Sequence, residues 1–312
     1  MLEGRCRQSQ TGHVKVISDA DVRTALLAGA AVRVSRDALV DAHRGTLKAP
    51  PRTGIDVGST ELVFTVGGNA AGTVGFRCYG LWPGHADQLV AVWDNKGTLR
   101  GVVVGTALGA LRTGALGGAA VDALAKHDAS VCAVIGSGTQ SWAQLWAACA
   151  VRTFSEVRVS SPTPENRAKF AARARDDLGL NAIDLADSVE AVRDADVVLV
   201  ATKSTRPVLP ATAFAPGCHV NTIGPKLRGA SELPPELASV AAIVASDSPA
   251  QAAAYGNPFF TGRKLAHLGG IIAGDLPGRI SEGQITLFCS TGLAGADVLL
   301  ADHVFNELEL AA

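Results

Sequence analysis

Residues 131–141, Val-Cys-Ala-Val-Ile-Gly-Ser-Gly-Thr-Gln-Ser, decide the reading of this chain. An apolar run of strand character enters Gly136-Ser137-Gly138, and Trp142, Leu145, Trp146 and Cys149 then recur at the spacing of a buried helix face. A strand that turns through glycines straight into a helix gathers unpaired N–H groups and the positive end of the helix dipole at one point, which suits a pyrophosphate. The fingerprint reads Gly136-x-Gly138-x-x-Ser141, with Ser in place of the third Gly or Ala. On its own the motif is therefore also compatible with a plain strand–turn–helix connection.

The same rhythm continues outward. Strands are predicted at 131–135, 156–160, 196–201, 218–223, 241–245 and 284–288, and helices at 164–178 and 187–193. This alternation argues an α/β fold with a doubly wound, Rossmann-type parallel sheet. Upstream, 105–126 reads as one long helix bridging two domains, although its glycines weaken it by roughly 1 kcal/mol each relative to Ala. Before it, Leu62–Val66, Thr73–Tyr79, Leu89–Trp93 and Leu99–Val104 read as an antiparallel meander punctuated by Gly, Pro and Asn. Residues 19–47 read as helix, helix and strand with Asp19 as the first N-cap, and 292–312 as a helix returning to the first domain.

Composition bounds the function. A length of 312 residues suits two domains, and 47% hydrophobic with 18% charged residues is a globular balance. A net charge of -1 offers nothing to nucleic acid or an anionic membrane, which leaves a small molecule or a second copy as partner. Six cysteines without a C-x-x-C pair favour a reducing, cytoplasmic compartment, and the seven histidines show no metal spacing. The first residues lack a signal-peptide core, and the apolar run 101–111 is too short to span a bilayer.

Several segments together resemble the ornithine cyclodeaminase / mu-crystallin family across nearly the whole chain. They are Leu108–Ala115 with Arg112-Thr113, Val134–Gln140, Val157–Ser161, Ala195–Leu199, Val220–Gly224, and Ile285–Leu293 with Ser290-Thr-Gly292. The resemblance implies a homodimer with a Rossmann domain (116–290) inserted into a discontinuous α+β substrate and dimerisation domain (1–115 and 291–312). It also implies hydride transfer between a nicotinamide and the α-carbon of an amino or imino acid.

Arg112 interrupts an apolar helix, where an unpaired charge is costly, so it needs a partner: a substrate carboxylate or an internal acid. It resembles the family's carboxylate-binding arginine, and Arg52 resembles a second contact. Two positions depart from the family. Arg77 stands where a substrate-touching lysine is expected, and Lys226 stands where the cyclodeaminases carry an aspartate. A Lys226 ammonium about 4 Å from the side-chain ammonium of ornithine would cost roughly 4 kcal/mol at an effective dielectric near 20. The expected substrate is therefore neutral or acidic beyond its α-carboxylate, such as a ketimine or pyrroline-2-carboxylate. Lys226, crowded by Arg52, Arg77 and Arg112, is the candidate proton donor, with Arg77 beside it as a catalytic candidate. Glu61 and the pair His85 and Asp87 are further proton-handling candidates, whereas His219 reads as a core histidine.

The cofactor is NAD or NADP. The expected binding residues are Thr113, Gly136, Ser137, Gly138, Thr139, Gln140, Ser160, Ser161, Thr163, Ala201, Thr202, Lys203, Asn221, Ile223, Ser290 and Gly292, with Thr222 flanking the nicotinamide side. No acid ends the 156–160 strand to hold ribose hydroxyls, and Ser160, Ser161 and Thr163, with Arg158 or Arg167, suit a 2′-phosphate, which tilts the choice to NADP. The favoured activity is NAD(P)H-dependent reduction of a small imino acid. The rivals are ornithine cyclodeaminase, a lyase that recycles its NAD, and a nucleotide-binding protein without turnover.

Overall fold

The computed structural model describes residues 14–311 except 59, 83, 85, 86 and 261. One sheet comprises β1 (Lys15–Ile17), β2 (Leu47–Lys48), β3 (Thr53–Asp56), β4 (Glu61–Asn69), β5 (Val74–Gly80), β6 (Gln88–Trp93) and β7 (Leu99–Gly105). Its order is β1-β7-β6-β5-β4-β2, with β3 also on β4. The meander is antiparallel and β1 joins β7 in parallel. β4 runs past the predicted Val66 because its ladder to β5 continues through Gly67 and Gly68, which an apolar pattern does not register. Helices α1 (Asp19–Ala25), α2 (Ala28–Arg44) and α3 (Ala107–Leu124) belong to the same half of the chain.

The second sheet is parallel throughout. It contains β8 (Val131–Ile135), β9 (Glu156–Ser160), β10 (Ala182–Asp184), β11 (Val197–Val200), β12 (His219–Thr222), β15 (Ile243–Ser246), β16 (Ala266–His267) and β17 (Thr286–Cys289). A hairpin of β13 (Lys226–Leu227) and β14 (Ala230–Ser231) projects from the loop after β12. Helices α4 (Thr139–Ala148), α5 (Pro164–Leu178), α6 (Ser188–Val192), α7 (Pro235–Val240), α8 (Pro249–Ala253) and α9 (Leu268–Ile272) lie among these strands, and α10 (Ala296–Leu310) packs back on β4, β5 and β6. The strand order is β10-β9-β8-β11-β12-β17-β15-β16, so the chain winds one way from β8 and the other way from β11. A crevice opens at such a reversal, at the carboxyl ends of the strands. Burial on both faces accounts for the unbroken apolar runs of β8 and β11.

One local reading is corrected. Ser18, not Asp19, caps α1, through a capping box with Asp21. The Asp19 carboxylate instead accepts from Thr106 N (2.9 Å), the Thr106 hydroxyl (3.1 Å) and Ala107 N (2.7 Å), and so caps α3. The glycines of α3 have a reason beyond propensity. A Cβ on Gly114 would overlap the Ala143 carbonyl, and one on Gly118 would stand 2.9 Å from Ala147 Cβ. Helices α3 and α4 therefore touch backbone to backbone.

Candidate active site

The turn after β8 makes the first half of the site. Gly136 has φ +112°, and a Cβ there would meet Ala201 O at 2.5 Å and Ser141 Oγ at 2.9 Å, so glycine is required. Its N–H is held by Ser160 O at 2.8 Å. Ser141, the unusual third position of the fingerprint, donates to Ala201 O (3.2 Å) and ties this turn to the end of β11. Gly138 caps α4 without a side-chain hydrogen bond and has open space on its Cβ side. This uncapped N-terminus fits a dinucleotide pyrophosphate.

The crevice beside it measures about 850 Å³. It brings together Gly136, Ser137, Gly138, Thr139, Gln140, Ser160, Ser161, Thr163, Ala201, Thr202, Lys203 and Ile223. Ser137 and Ser161 are joined by a 3.0 Å hydrogen bond. Among the described residues no Asp or Glu lines it. Arg158 and Arg167 do not line it either. Arg158 is held by Glu156 and by Arg193 O (2.6 Å), and Arg167 by Ser161 O (3.3 Å) and Asp184 (3.4 Å).

A second cavity of about 490 Å³ shares Gln140, Ile223 and Gly224 with the crevice. Arg52, Arg77, Arg112 and Lys226 all line it. So do Thr113, Ser290 and Gly292, which lie on this side rather than in the crevice. Asn221 and Thr222 line neither. Both are fully buried, Asn221 bonded to Gly117 O and Gln144 and Thr222 to Glu232, because side chains of a central strand, up to its last residue, point into the layers on either face and not past its end.

Arg112 has the internal acid that its place in α3 calls for. Its Nε donates to Asp297 Oδ1 at 3.1 Å, and Arg77 Nη1 reaches the same oxygen at 3.4 Å. Asp297 sits in the first turn of α10 and is 1% exposed. Burial alone would raise its pKa, but the two guanidiniums hold it below the ordinary carboxylate value. Arg77 points inward from β5 and lies over the Tyr79 ring at 4.3 Å, and its buried Nε has no protein partner. Its pKa is lowered by burial, with Arg112 adding to the effect and Asp297 opposing it.

Arg52 donates to the hydroxyls of Tyr79 and Tyr255 (3.3 Å each) and to Thr291 O, so both tyrosines of the chain hold it. A Cβ on Gly292 would lie 3.4 Å from Arg52 Nη2 and 3.7 Å from Arg112 Nη1, which places both guanidiniums over that glycine. Lys226 is 7% exposed, and its Nζ donates to Ile223 O (2.8 Å) and Gly224 O (2.5 Å). Its pKa is lowered first by burial, while Glu232 and Asp247 raise it; crowding by Arg52 is the lesser influence, not the main one expected.

Two buried carboxylates that the sequence reading did not single out back the pocket walls. Asp247 accepts from Thr291 N (2.8 Å), Gly292 N (3.0 Å) and Ser290 Oγ (3.2 Å), and so holds the segment entering α10. Glu232 accepts from Thr202, Thr222, Ile223 and Gly224. The four basic side chains thus stand among three acidic ones, Asp297, Asp247 and Glu232, so the basic excess is one group rather than four. The remaining candidates lie elsewhere. Glu61 is exposed on β4, Asp87 is exposed away from both cavities, and His85 is outside the described residues. His219 is a core histidine, bonded to Thr286 and Asn221 at 2.9 Å each, its pKa pushed down by burial to about 3.

Comparison with known proteins agrees with this fold. The profile of the ornithine cyclodeaminase/mu-crystallin family matches residues 13–311. A Delta(1)-pyrroline-2-carboxylate reductase of Bacillus cereus is 33% identical over 211 residues, a match that spans 65% of this chain and 65% of that protein. Among solved structures, Thermococcus litoralis Delta(1)-pyrroline-2-carboxylate reductase in complex with NADH and L-proline superposes with a TM-score of 0.84 at 26% identity, covering 95% of this chain and 98% of that one. An archaeal alanine dehydrogenase dimer with bound NAD superposes at 0.85 and 27% identity, covering 96% of this chain and 97% of that one.

Proposed function

We propose, from the premise that this chain belongs to the ornithine cyclodeaminase/mu-crystallin family, that it is an NAD(P)H-dependent reductase of a small monocarboxylic imino acid. The observation that carries the reading is the meeting of a phosphate-type crevice and a cation-lined pocket at Gln140, Ile223 and Gly224. The Gly136–Gly138 turn and the crevice lined by Ser160, Ser161 and Thr202 would hold a reduced nicotinamide dinucleotide, which would supply hydride chemistry toward an imine carbon. The chain's own residues bind and orient the substrate. Arg52, Arg77 and Arg112 converge on its carboxylate, which supplies the one negative charge the cluster lacks. Ile223, Pro225, Leu227, Ala230 and Leu293 give the rest of the pocket an apolar wall, which suits an uncharged ring such as pyrroline-2-carboxylate.

Lys226 holds the proton. Two of its N–H groups are tied to Ile223 O and Gly224 O, which leaves one to give to the substrate nitrogen. Loss of that proton turns the third position into a lone pair and leaves both tethers in place. A lysine whose pKa is lowered by burial is a better acid for this step. The same ammonium disfavours a substrate carrying its own side-chain amine, which argues against ornithine.

NADP is the favoured cofactor: Ser160, the last residue of β9, and Ser161 and Thr163 just after it line the crevice without an acid beside them. The assembly is a homodimer formed through the first sheet. Its face away from α10 carries Phe64, Cys78, Leu89 and Val104 in one cross-strand row and Val66, Phe76, Ala91, Val102 and Val16 in the next. Val16, Val66 and Val104 are exposed, an apolar stripe that a second copy would cover.

The test is nicotinamide absorbance with purified protein, NADPH or NADH, and pyrroline-2-carboxylate, beside ornithine with NAD. Cofactor consumption with the imine and none with ornithine is the expected result. Proline and ammonia from ornithine at a comparable rate would sink the reading.

A further inference from the structure

We infer that Glu232 is a positioning residue, which fixes the wall between cofactor crevice and substrate pocket by gripping the Ile223–Gly224 segment opposite Lys226. The inference rests on the reductase reading above and extends it to a residue that touches neither ligand. Ile223 and Gly224 line both cavities, so their backbone sets how a nicotinamide on one side faces an imine on the other.

That backbone is held on two sides by opposite charges. Glu232 Oε1 accepts from Ile223 N (3.0 Å), Gly224 N (2.6 Å) and Thr222 Oγ1 (2.7 Å). The same two residues present their carbonyls to Lys226 Nζ. Glu232 Oε2 accepts from Thr202 N (2.7 Å) and Thr202 Oγ1 (2.9 Å), so the carboxylate also joins the end of β11 to the end of β12 across the crevice floor. Glu232 is fully buried. A carboxylate with five donors around it has no lone pair to spare, and this single buried charge ties the loop after β11 to the loop after β12 beyond the point where their ladder ends, at Ile223 N to Val200 O (3.0 Å).

A glutamine in this place cannot do the same. Its NH2 group would face either the three donors at Oε1 or the two at Oε2, and a donor against donors repels. The charge matters too. The groups facing Lys226 are Glu232, Cys289, Asp247 and Arg52, and removing the carboxylate nearest to the segment it grips leaves Asp247 to hold the ammonium against Arg52.

The experiment compares the full-length protein with Glu232→Gln and Thr222→Val. NADPH binding is followed by its own fluorescence without substrate, and kcat/KM for pyrroline-2-carboxylate is followed against pH. Glu232→Gln is expected to weaken NADPH binding by about tenfold or more, the usual scale for losing charge-assisted hydrogen bonds, and to move the alkaline fall of kcat/KM to lower pH. Thr222→Val, which removes one donor and keeps the charge, is expected to weaken NADPH binding less and to leave the alkaline limb where it was. It also supplies the test if Glu232→Gln does not fold. A Glu232→Gln protein that loses thermal stability but keeps both NADPH affinity and pH limb overturns the inference and leaves the reductase reading intact. So does Thr222→Val moving the limb. A wild-type protein that binds NADPH and reduces no imino acid overturns the reductase reading, and with it this role.

Discussion

Asp297→Asn is the sharpest perturbation this site offers, because one buried oxygen serves two guanidiniums. The substitution keeps the shape and removes the charge. Coulomb attraction between unit charges about 4 Å apart is roughly 4 kcal/mol at an effective dielectric near 20. Breaking a buried pair by removing one partner costs about 3–5 kcal/mol in practice, since the other charge stays buried without compensation. Arg77 and Arg112 already disfavour each other, so the variant is expected to lose stability in that range. A bound carboxylate should restore part of it, and a ligand such as L-proline at about a hundred times its dissociation constant returns roughly 2.7 kcal/mol. The assay is chemical denaturation with and without L-proline. The variant should be less stable than wild type without ligand and should gain more from proline than wild type does. The pH dependence gives a second check. The folded pKa of Asp297 lies below its unfolded value, so its contribution is complete above about pH 4 and is lost as pH falls through the folded value. The variant lacks that acid-side loss. An Asp297→Asn protein as stable as wild type at neutral pH, with no extra response to proline, would refute the reasoning.

Three further outcomes follow from the same geometry. Arg112→Lys should raise KM for the imino acid by about tenfold or more, since a point ammonium cannot keep Asp297 and also present a fork to the substrate; steady-state kinetics with an unchanged KM would count against Arg112 as a carboxylate ligand. Lys226→Met should abolish the alkaline limb that wild type shows below the ordinary lysine value, because the proton donor is lost as pH rises through a depressed pKa; a limb that persists in the variant assigns the proton to another group. Gly136→Ala should weaken NADPH binding by about tenfold or more through the clash with Ala201 O and the positive φ; undiminished affinity by fluorescence titration would mean that the pyrophosphate does not sit on this turn.

The architecture was legible where periodicity is strong. β8, β9 and α5 end where the pattern ends, since a strand buried on both faces and an amphipathic helix each leave a plain signature. The cation cluster was also legible, because Arg112 in an apolar helix demands an explanation from sequence alone. Its counter-charges were not. Asp297 stands in the first turn of a helix, where an acid is unremarkable, and Glu232 and Asp247 act by accepting from loop backbone that a linear reading does not bring near them. Asn221 failed in the opposite direction: the reading put it at a strand end, and the ladder to β11 and β17 keeps it inside the layers. Asp19 shows the same limit. Its carboxylate caps the start of an α-helix that begins 88 residues later.

The glycine seam between α3 and α4 has a bearing on what the protein can accept. One helix starts at the Gly136–Gly138 turn and the other carries Arg112 and Thr113; at Gly114 and Gly118 their main chains meet, and between these points the Gln144 side chain lies on Gly117 and donates to Thr113 O at 2.9 Å. If the turn holds a dinucleotide and Arg112 a carboxylate, as proposed, both anchors are mounted on one stiff block, with a spacing set by the close contact of α3 and α4. The molecule behaves as a fixed gauge. Substrates are sorted by whether carboxylate and reacting carbon fit that span, and a change in preferred length has to come from the opposite wall, at Lys226, Leu227 and Ala230, not from a shift of the block.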